Sequence, residues 1–330
     1  MPPLVSVIIP TANRPNYLPR ALDSALTGMD PGDIEVIIIP NGPDNSWRTS
    51  LLPYKSNRSV KVIPIQEANA NVARNTGLLN AKGKFVRFLD DDDYLYPDAA
   101  CEQYIELERN KADVSTGRII NIDVDNNILG EVTFPKTNDF VCACTQNPFA
   151  LPTRHVFKRE KLLDCKWNPD IPRAQDYIWM IDLAKNSEWE WIKDNNIVGV
   201  WFQHPGHRTT ITRACNKTHQ DIALALFELI NALQIKKAFS LQRKEFIVNV
   251  LWNCVHNGFP LNPLYWHRIA IKLLQIAPNS TPNIPIYQSR ISQIFGTLTL
   301  EWLFLPKRVA NRFYRELLGR IFGWDYRRIL

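Results

Sequence analysis

Phe85-Val86-Arg87-Phe88-Leu89 runs straight into Asp90-Asp91-Asp92-Asp93, and Tyr94-Leu95-Tyr96-Pro97 follows. A β-branched and aromatic run that stops at four carboxylates reads as a buried strand delivering its last residues to the lip of a sheet. Adjacent anions raise one another's pKa and destabilise the fold unless a cation neutralises them, so the run points to a bound divalent metal. Hard oxygen ligands argue for Mn2+ or Mg2+ ahead of calcium. A solvated acidic loop is the bland alternative, and the apolar flanks on both sides speak against it. An EF-hand is excluded, because its ligands alternate around a central Gly and this run does neither.

Toward the N-terminus the same unit recurs. Leu4 to Ile9 is a β-rich run closed by the polar turn Pro10-Thr11-Ala12-Asn13-Arg14-Pro15, and Leu22, Ala25 and Leu26 then fall at helical spacing. Ile34 to Ile39 is a second buried run, ended by Pro40-Asn41-Gly42-Pro43-Asp44, with a short helix near Trp47. Val60 to Ile65 is a third, leading to a helix that carries Ala73, Arg74, Gly77 and Leu78. Four strand-then-helix units predict an α/β fold with a mostly parallel central sheet and helices on both faces. In such sheets ligands bind beyond the carboxyl ends of the strands. Those ends carry Thr11 to Arg14, Asn41 to Asp44, the approach to Arg74, and the Asp run. Amides, hydroxyls, guanidinium groups and clustered carboxylates in one crevice suit a nucleotide diphosphate chelated to a divalent ion. No GxGxxG follows the first strand and no GxxxxGK[ST] occurs, so neither a dinucleotide fold nor a P-loop is supported.

Beyond the Asp run a helix is expected from Pro97 to Asn110, then a hairpin of Asp113 to Val124 and Ile128 to Phe134 around Asp125-Asn126-Asn127. Arg154 to Phe157 reads as a strand, Gln175-Asp176 opens a helix, and Asn196 to Phe202 is a further strand ending at Gln203-His204-Pro205-Gly206-His207. Asp176 reads equally as a first-turn acid favoured by the helix dipole. His204 and His207, in a Pro/Gly turn, are candidate metal or phosphate ligands or simply exposed residues.

In sequence and in order, Val5-Ser-Val-Ile-Ile-Pro-Thr11 with Asn13-Arg14, then Ala73-Arg74-Asn75-Thr76-Gly77, then Phe88 to Asp93 before Pro97-Asp98, resemble the opening motifs of the family 2 glycosyltransferases. The resemblance covers residues 4 to 110 closely and reaches His207 more loosely. It implies a GT-A nucleotide-binding fold, a sugar-nucleotide donor with a UDP-sugar favoured, a divalent metal (Mn2+ or Mg2+), and inversion at the anomeric carbon. By position, Asp92 is implied as the metal ligand with Asp90 as a second, Asp90 or Asp91 otherwise facing the ribose or a metal-bound water, and His207 is a further candidate ligand. Thr11, Asn13, Arg14, Asn41, Arg74, Asp90 and Asp91 are the implied donor-binding residues, and Asp176 in the Glu-Asp position is the implied acceptor base. This chain departs in having Asn41 where many members place a carboxylate, and Gln175 where Glu is usual. Those departures motivate a rival reading as a non-catalytic nucleotide-sugar-binding module.

The 330 residues suffice for a catalytic domain over 1–215 (a nucleotide-binding half, 1–110, and an acceptor half, 111–215) and a helical region over 216–330. That region shows helical runs at Ile222 to Leu233, Phe246 to Trp252, Tyr265 to Ile276 and Leu298 to Phe322, with Pro278, Pro282 and Pro285 marking a loop. The net charge of +6 is concentrated near the end: from Glu301 onward seven Lys/Arg face three acids. Val309, Phe313, Leu317, Ile321 and Trp324 form one stripe, and Arg308, Arg312 and Arg315 another, the pattern of a helix docking on anionic lipid or, equally, of one packed on the catalytic domain or on a second copy of the chain with its basic face solvated. Six cysteines without CxxC pairing, Met1-Pro2-Pro3 in place of a signal peptide, and no apolar run of about 18 residues favour a cytoplasmic protein, peripheral on the inner face of the plasma membrane. The expected partners are a nucleotide diphosphate sugar and a glycan or lipid-linked acceptor, and not nucleic acid.

Overall fold

Val5–Thr11 (β1) and Ile34–Pro40 (β2) are buried at nearly every position, as strands covered on both faces must be. They lie in parallel register from Val5↔Ile34 to Thr11↔Pro40. The computed structural model describes residues 2–204 and 215–322. Contacts divide the chain into two units, Met1–Gly206 and His207–Leu330.

In the first unit α1 (Leu18–Leu26) links β1 to β2, and α2 (Trp47–Ser50) leads to β3 (Val60–Val62). Next come α3 (Ala70–Asn80), β4 (Phe85–Phe88), the two-residue β5 (Tyr94–Leu95) and α4 (Pro97–Asn110). The order β3-β2-β1-β4 is parallel throughout, so four strand ends open on one side. Val5, Val7 and Ile9 pack with Leu18, Leu22, Tyr104 and Leu107 of α1 and α4 on one face. On the other face Gly77 lets α3 lie flat on β1: a Cβ there would come 2.3 Å from Ile8 Cγ2.

The acceptor half is mixed. β6 (Val114–Asp123) and β7 (Ile128–Val132) form the expected antiparallel hairpin. α5 (Phe140–Cys144), β8 (His155–Lys158), α6 (Arg159–Leu162), α7 (Gln175–Asn186) and β9 (Trp191–Gln203) complete the unit. β8 runs antiparallel between β4 and β6, β9 is parallel to β6, and β5 closes the far edge on β9. The nine strands make one sheet that crosses from the parallel half to the mixed half without a break.

The second unit is helical: α8 (Asn216–Ile235), α9 (Leu241–Gly258), α10 (Pro263–Ile276), α11 (Arg290–Phe295) and α12 (Thr297–Phe322). Gly258 admits the Trp266 indole, which donates through Nε1 to Asn216 Oδ1 at 2.7 Å. The proline-marked loop contains a 3-10 turn and α11, both too short for periodicity to reveal. One expectation needs correction. Arg308, grouped in the sequence with surface cations, pairs at 2.6 Å with the fully buried Glu301, which also meets His256 Nδ1 at 2.8 Å. A buried carboxylate demands a cation, and that demand draws Arg308 off the solvated face. Val309, Phe313 and Leu317 are exposed as expected, whereas the side chains of Ile321 and Trp324 lie outside the described residues. Among the described residues no helix is long and apolar enough to cross a membrane.

Candidate active site

The four aspartates form one turn closed by the Asp93 N–H donating to Asp90 O at 3.1 Å. Asp91, Asp92 and Asp93 are 3%, 7% and 3% exposed, so this is no solvated acidic loop. Alternate members are spent on the fold. Asp93 accepts from Thr153 Oγ1 at 2.7 Å and from the Phe202 N–H at 3.0 Å, tying the turn to β9. Asp91 accepts from Thr11 Oγ1 at 2.7 Å and from Arg14 Nη1 at 3.0 Å, tying it to the end of β1. Burial pushes the Asp91 carboxyl up to about 7 against the opposing pull of Arg14, and burial with the charges of Asp92 and Asp90 holds Asp93 well above the usual range.

Arg14 owes its place to a strained turn. Asn13 adopts a positive φ of 57°, and its N–H donates to Asp44 Oδ2 at 3.1 Å. Asn41 Nδ2 donates to Thr11 O at 3.0 Å, so this amide links the β1 and β2 turns. Arg14 Nη1 also reaches Asp92 Oδ2 at 2.8 Å, and His204 Nε2 lies 2.9 Å from that same oxygen. His204 is 7% exposed, with its ring 4.6 Å from that of Tyr17.

A second arginine serves the other end of the turn. Arg74 Nη2 donates to Asp90 Oδ1 at 2.8 Å and lies 3.6 Å from Asp176 Oδ1. Its guanidinium lies over Trp167 at 4.5 Å, and Trp167 stacks on Trp179 at 4.2 Å. Asp176 sits in the first turn of α7 behind Ala174, whose φ of 51° sets the helix entry. The preceding segment is clipped to α3: Asn71 Nδ2 donates to Asn168 O at 2.7 Å, and Asn75 Nδ2 to Trp167 O at 2.7 Å. A third of the Asp176 side chain is exposed, yet Oδ1 is sealed and accepts no hydrogen bond. Burial raises its carboxyl to about 6, with Arg74 pulling down and Asp90 pushing up.

Thr11, Arg14, Asp91 and Asp92 thus gather at one end of the turn, and Arg74, Asp90 and Asp176 at the other. The charge of the run is met by arginines, a solution the sequence reading gave to a metal alone. Among the described residues no group of three His, Cys, Asp or Glu could hold a metal ion. His207 lies outside the described residues; of the two candidate histidines it is His204 that is set on Asp92. Its signal was position, since it directly follows the last residue of β9. Trp167 was missed altogether, because nothing in spacing marks an indole as an arginine's platform.

Residues 6–166 match the sequence profile of the family described as Glycosyl transferase family 2. An uncharacterized glycosyltransferase of Haemophilus influenzae is 30% identical over 186 residues, 56% of this chain and 72% of that protein. The poly(ribitol-phosphate) beta-N-acetylglucosaminyltransferase TarP of Staphylococcus aureus is 30% identical over 192 residues, 56% of this chain and 58% of TarP. A matching Streptococcus pneumoniae glycosyltransferase is likewise spanned only in part, over 20% of its length. Among solved structures, S. aureus TarS 1–349 in complex with UDP-GlcNAc superposes with a TM-score of 0.64 at 17% identity, covering 83% of this chain and 81% of that one. At that identity the likeness establishes the GT-A fold and nothing finer.

Proposed function

Because the chain belongs to the family 2 glycosyltransferases, we propose that it transfers a sugar, with inversion, from a nucleotide diphosphate sugar to a hydroxyl of a glycan or lipid-linked acceptor in cell-surface polysaccharide assembly. The observation that carries this reading is the pairing of two arginine-carboxylate clusters around one turn at the strand ends. Thr11, Arg14 and Asp92 flank the donor diphosphate, with Asn13, Asn41 and Asp91 holding their turns in register. TarS has been seen with UDP-GlcNAc and TarP is named for N-acetylglucosaminyl transfer, which favours a UDP-sugar here.

Asp92 Oδ2 and His204 Nε2, 2.9 Å apart, would be the side-chain groups that hold a divalent ion, a carboxylate oxygen beside an imidazole nitrogen, a pair that suits Mn2+ better than Mg2+. Such an ion would supply charge neutralisation at the leaving diphosphate. On the acceptor side Asp176 takes the hydroxyl proton as the oxygen attacks the anomeric carbon. The sugar–phosphate bond breaks and its electron pair leaves on the nucleoside diphosphate. A carboxylate at about 6 is mostly ionised at neutral pH and still basic enough to accept that proton. A screen of nucleotide diphosphate sugars with Mn2+ tests the reading. Transfer or slow donor hydrolysis that EDTA abolishes supports it, and full activity in EDTA overturns the metal assignment.

The exposed face of α12 bears Trp302, Leu303, Val309, Phe313, Tyr314 and Leu317, with Lys307 exposed at its edge and Arg315 exposed on the stripe of Arg308. Apolar and basic groups on one helix complement an anionic lipid surface, which supports reading the enzyme as peripheral at a membrane, where a lipid-linked acceptor would lie. Binding to vesicles of mixed phosphatidylglycerol and phosphatidylcholine should weaken by about thirtyfold or more in Lys307→Glu/Arg315→Glu, at roughly 1 kcal/mol per basic residue removed. Equal sedimentation of the variant removes the membrane assignment.

A further inference from the structure

Arg74 matches a donor-contacting position of the family, but its surroundings give it another task. It is 4% exposed. Nη2 is bonded to Asp90, and Nη1 reaches Asn71 Oδ1 and Gln175 Oε1, both at 3.4 Å. One guanidinium face lies over Trp167, itself fixed by Trp179 stacking at 4.2 Å and by its backbone N–H donating to Asn75 Oδ1 at 2.8 Å. With both terminal nitrogens turned to protein and the plane held by an indole, the group has little freedom to meet a diphosphate. What it does face is the Asp176 oxygen that no hydrogen bond satisfies.

We infer that Arg74 is a positioning residue for Asp176, clamped by Trp167 and by Asp90 as its counter-ion, and that Asp90 therefore belongs to the acceptor side of the site. The inference rests on the transferase reading above. A fixed cation 3.6 Å from Oδ1 steadies the ionised base between turnovers and gives it a defined orientation toward the acceptor. Asp90 shares that cation, so the two carboxylates compete for Arg74. Charged groups acting on Asp176 are Arg74 from α3 and Asp90 from the turn after β4.

The competition makes the test a matter of opposite signs. Replacing Arg74 with Gln leaves two carboxylates without their cation, so the acid limb of kcat moves up from about pH 6. Asp90→Asn gives Arg74 wholly to Asp176, and the limb moves down. Arg74→Lys keeps the charge and returns the limb toward the wild-type position. A shift of about one unit in each direction is tenfold in the ionisation constant. UDP affinity by calorimetry in Mn2+ should stay within about threefold in Arg74→Lys and Asp90→Asn, since neither residue holds the donor. A tenfold or greater loss of UDP affinity with an unmoved limb overturns the inference and returns both residues to the donor side. The Asp176 carboxyl is also readable without turnover, from 13C-aspartate titration assigned by difference against Asp176→Asn. If the enzyme proves inactive on every donor, opposite shifts in that titration uphold the inference while the transferase reading falls. If Arg74→Gln does not fold, Arg74→Lys and Asp90→Asn still decide it.

Discussion

Arg14 and Arg74 each join carboxylates across the same turn, yet their surroundings differ. Arg14 meets Asp91 at 3.0 Å and Asp92 at 2.8 Å, and both acids have further partners in Thr11 and His204. Arg74 meets Asp90 at 2.8 Å but stands off from Asp176 at 3.6 Å, leaving a buried oxygen without a hydrogen bond. A saturated cluster is built to hold one geometry. A carboxylate buried without a hydrogen-bond donor takes up a proton more readily, because burial disfavours its charged form.

The largest expected effects come from breaking each cluster at its reactive member. Asp92→Ala should remove transfer by about four orders of magnitude, through loss of charge neutralisation at the diphosphate. Nucleotide affinity in Mn2+ should fall with it. Asp176→Asn should lower kcat by about 10²- to 10⁴-fold, the range for a general base, while UDP affinity holds. Equal loss of UDP affinity in both variants would erase the distinction between a donor end and an acceptor end.

A smaller effect separates holding from reacting. Asp91 is a holding residue whose carboxyl is raised to about 7 by burial, whereas an unfolded Asp titrates near 4. Between those values the folded protein binds more protons than the unfolded chain, so this group's contribution to stability falls as pH rises and is flat above 7. Asp91→Asn should flatten the stability profile between pH 5 and 7, by up to about 2 kcal/mol across that window. Buried His155, held neutral well below its usual value by burial, bends both profiles the opposite way below pH 6.5 and cancels in the difference. A wild-type minus variant difference that does not change with pH would mean that Asp91 is ionised throughout.

The parallel half was largely legible from sequence, since β1 and β2 bury runs of β-branched residues and β1, β2 and β4 each end in a polar turn. The helix starting at Pro97 and ending near Asn110 was legible, because Pro suits a first helical turn; in the structure Lys111, with φ 54°, ends it. The insertion of β8 between β4 and β6 was not legible, nor was β5, two residues long. Strand order depends on which edges meet in space, and periodicity carries no such information. The carboxylate run was rightly marked as the organising feature, but its partners Arg14, Thr153 and Phe202 lie 77, 60 and 109 residues away. Separations of that size put the arginine solution beyond local pattern. Arg308 was misread for the same reason, its buried partner Glu301 being two turns away on a face that the helix stripe alone does not identify as inward.

The finest test places an acid beside Asp176. Gln175 Oε1 lies 3.4 Å from Arg74 Nη1, so Gln175→Glu adds a third carboxylate to the Arg74 cluster. The new anion competes for the guanidinium and repels charge on Asp176, and both act to raise the base above about 6. A rise of about one unit would cut the ionised fraction at pH 6 from about one half to about one tenth. Transfer at pH 6 should therefore fall roughly fivefold, whereas at pH 8 the base is ionised in both proteins and the rates should agree. The Arg14 cluster is untouched, so UDP affinity should not move. A uniform loss at both pH values would instead mean that Gln175 acts through its amide, by hydrogen bonding and not by withholding a charge.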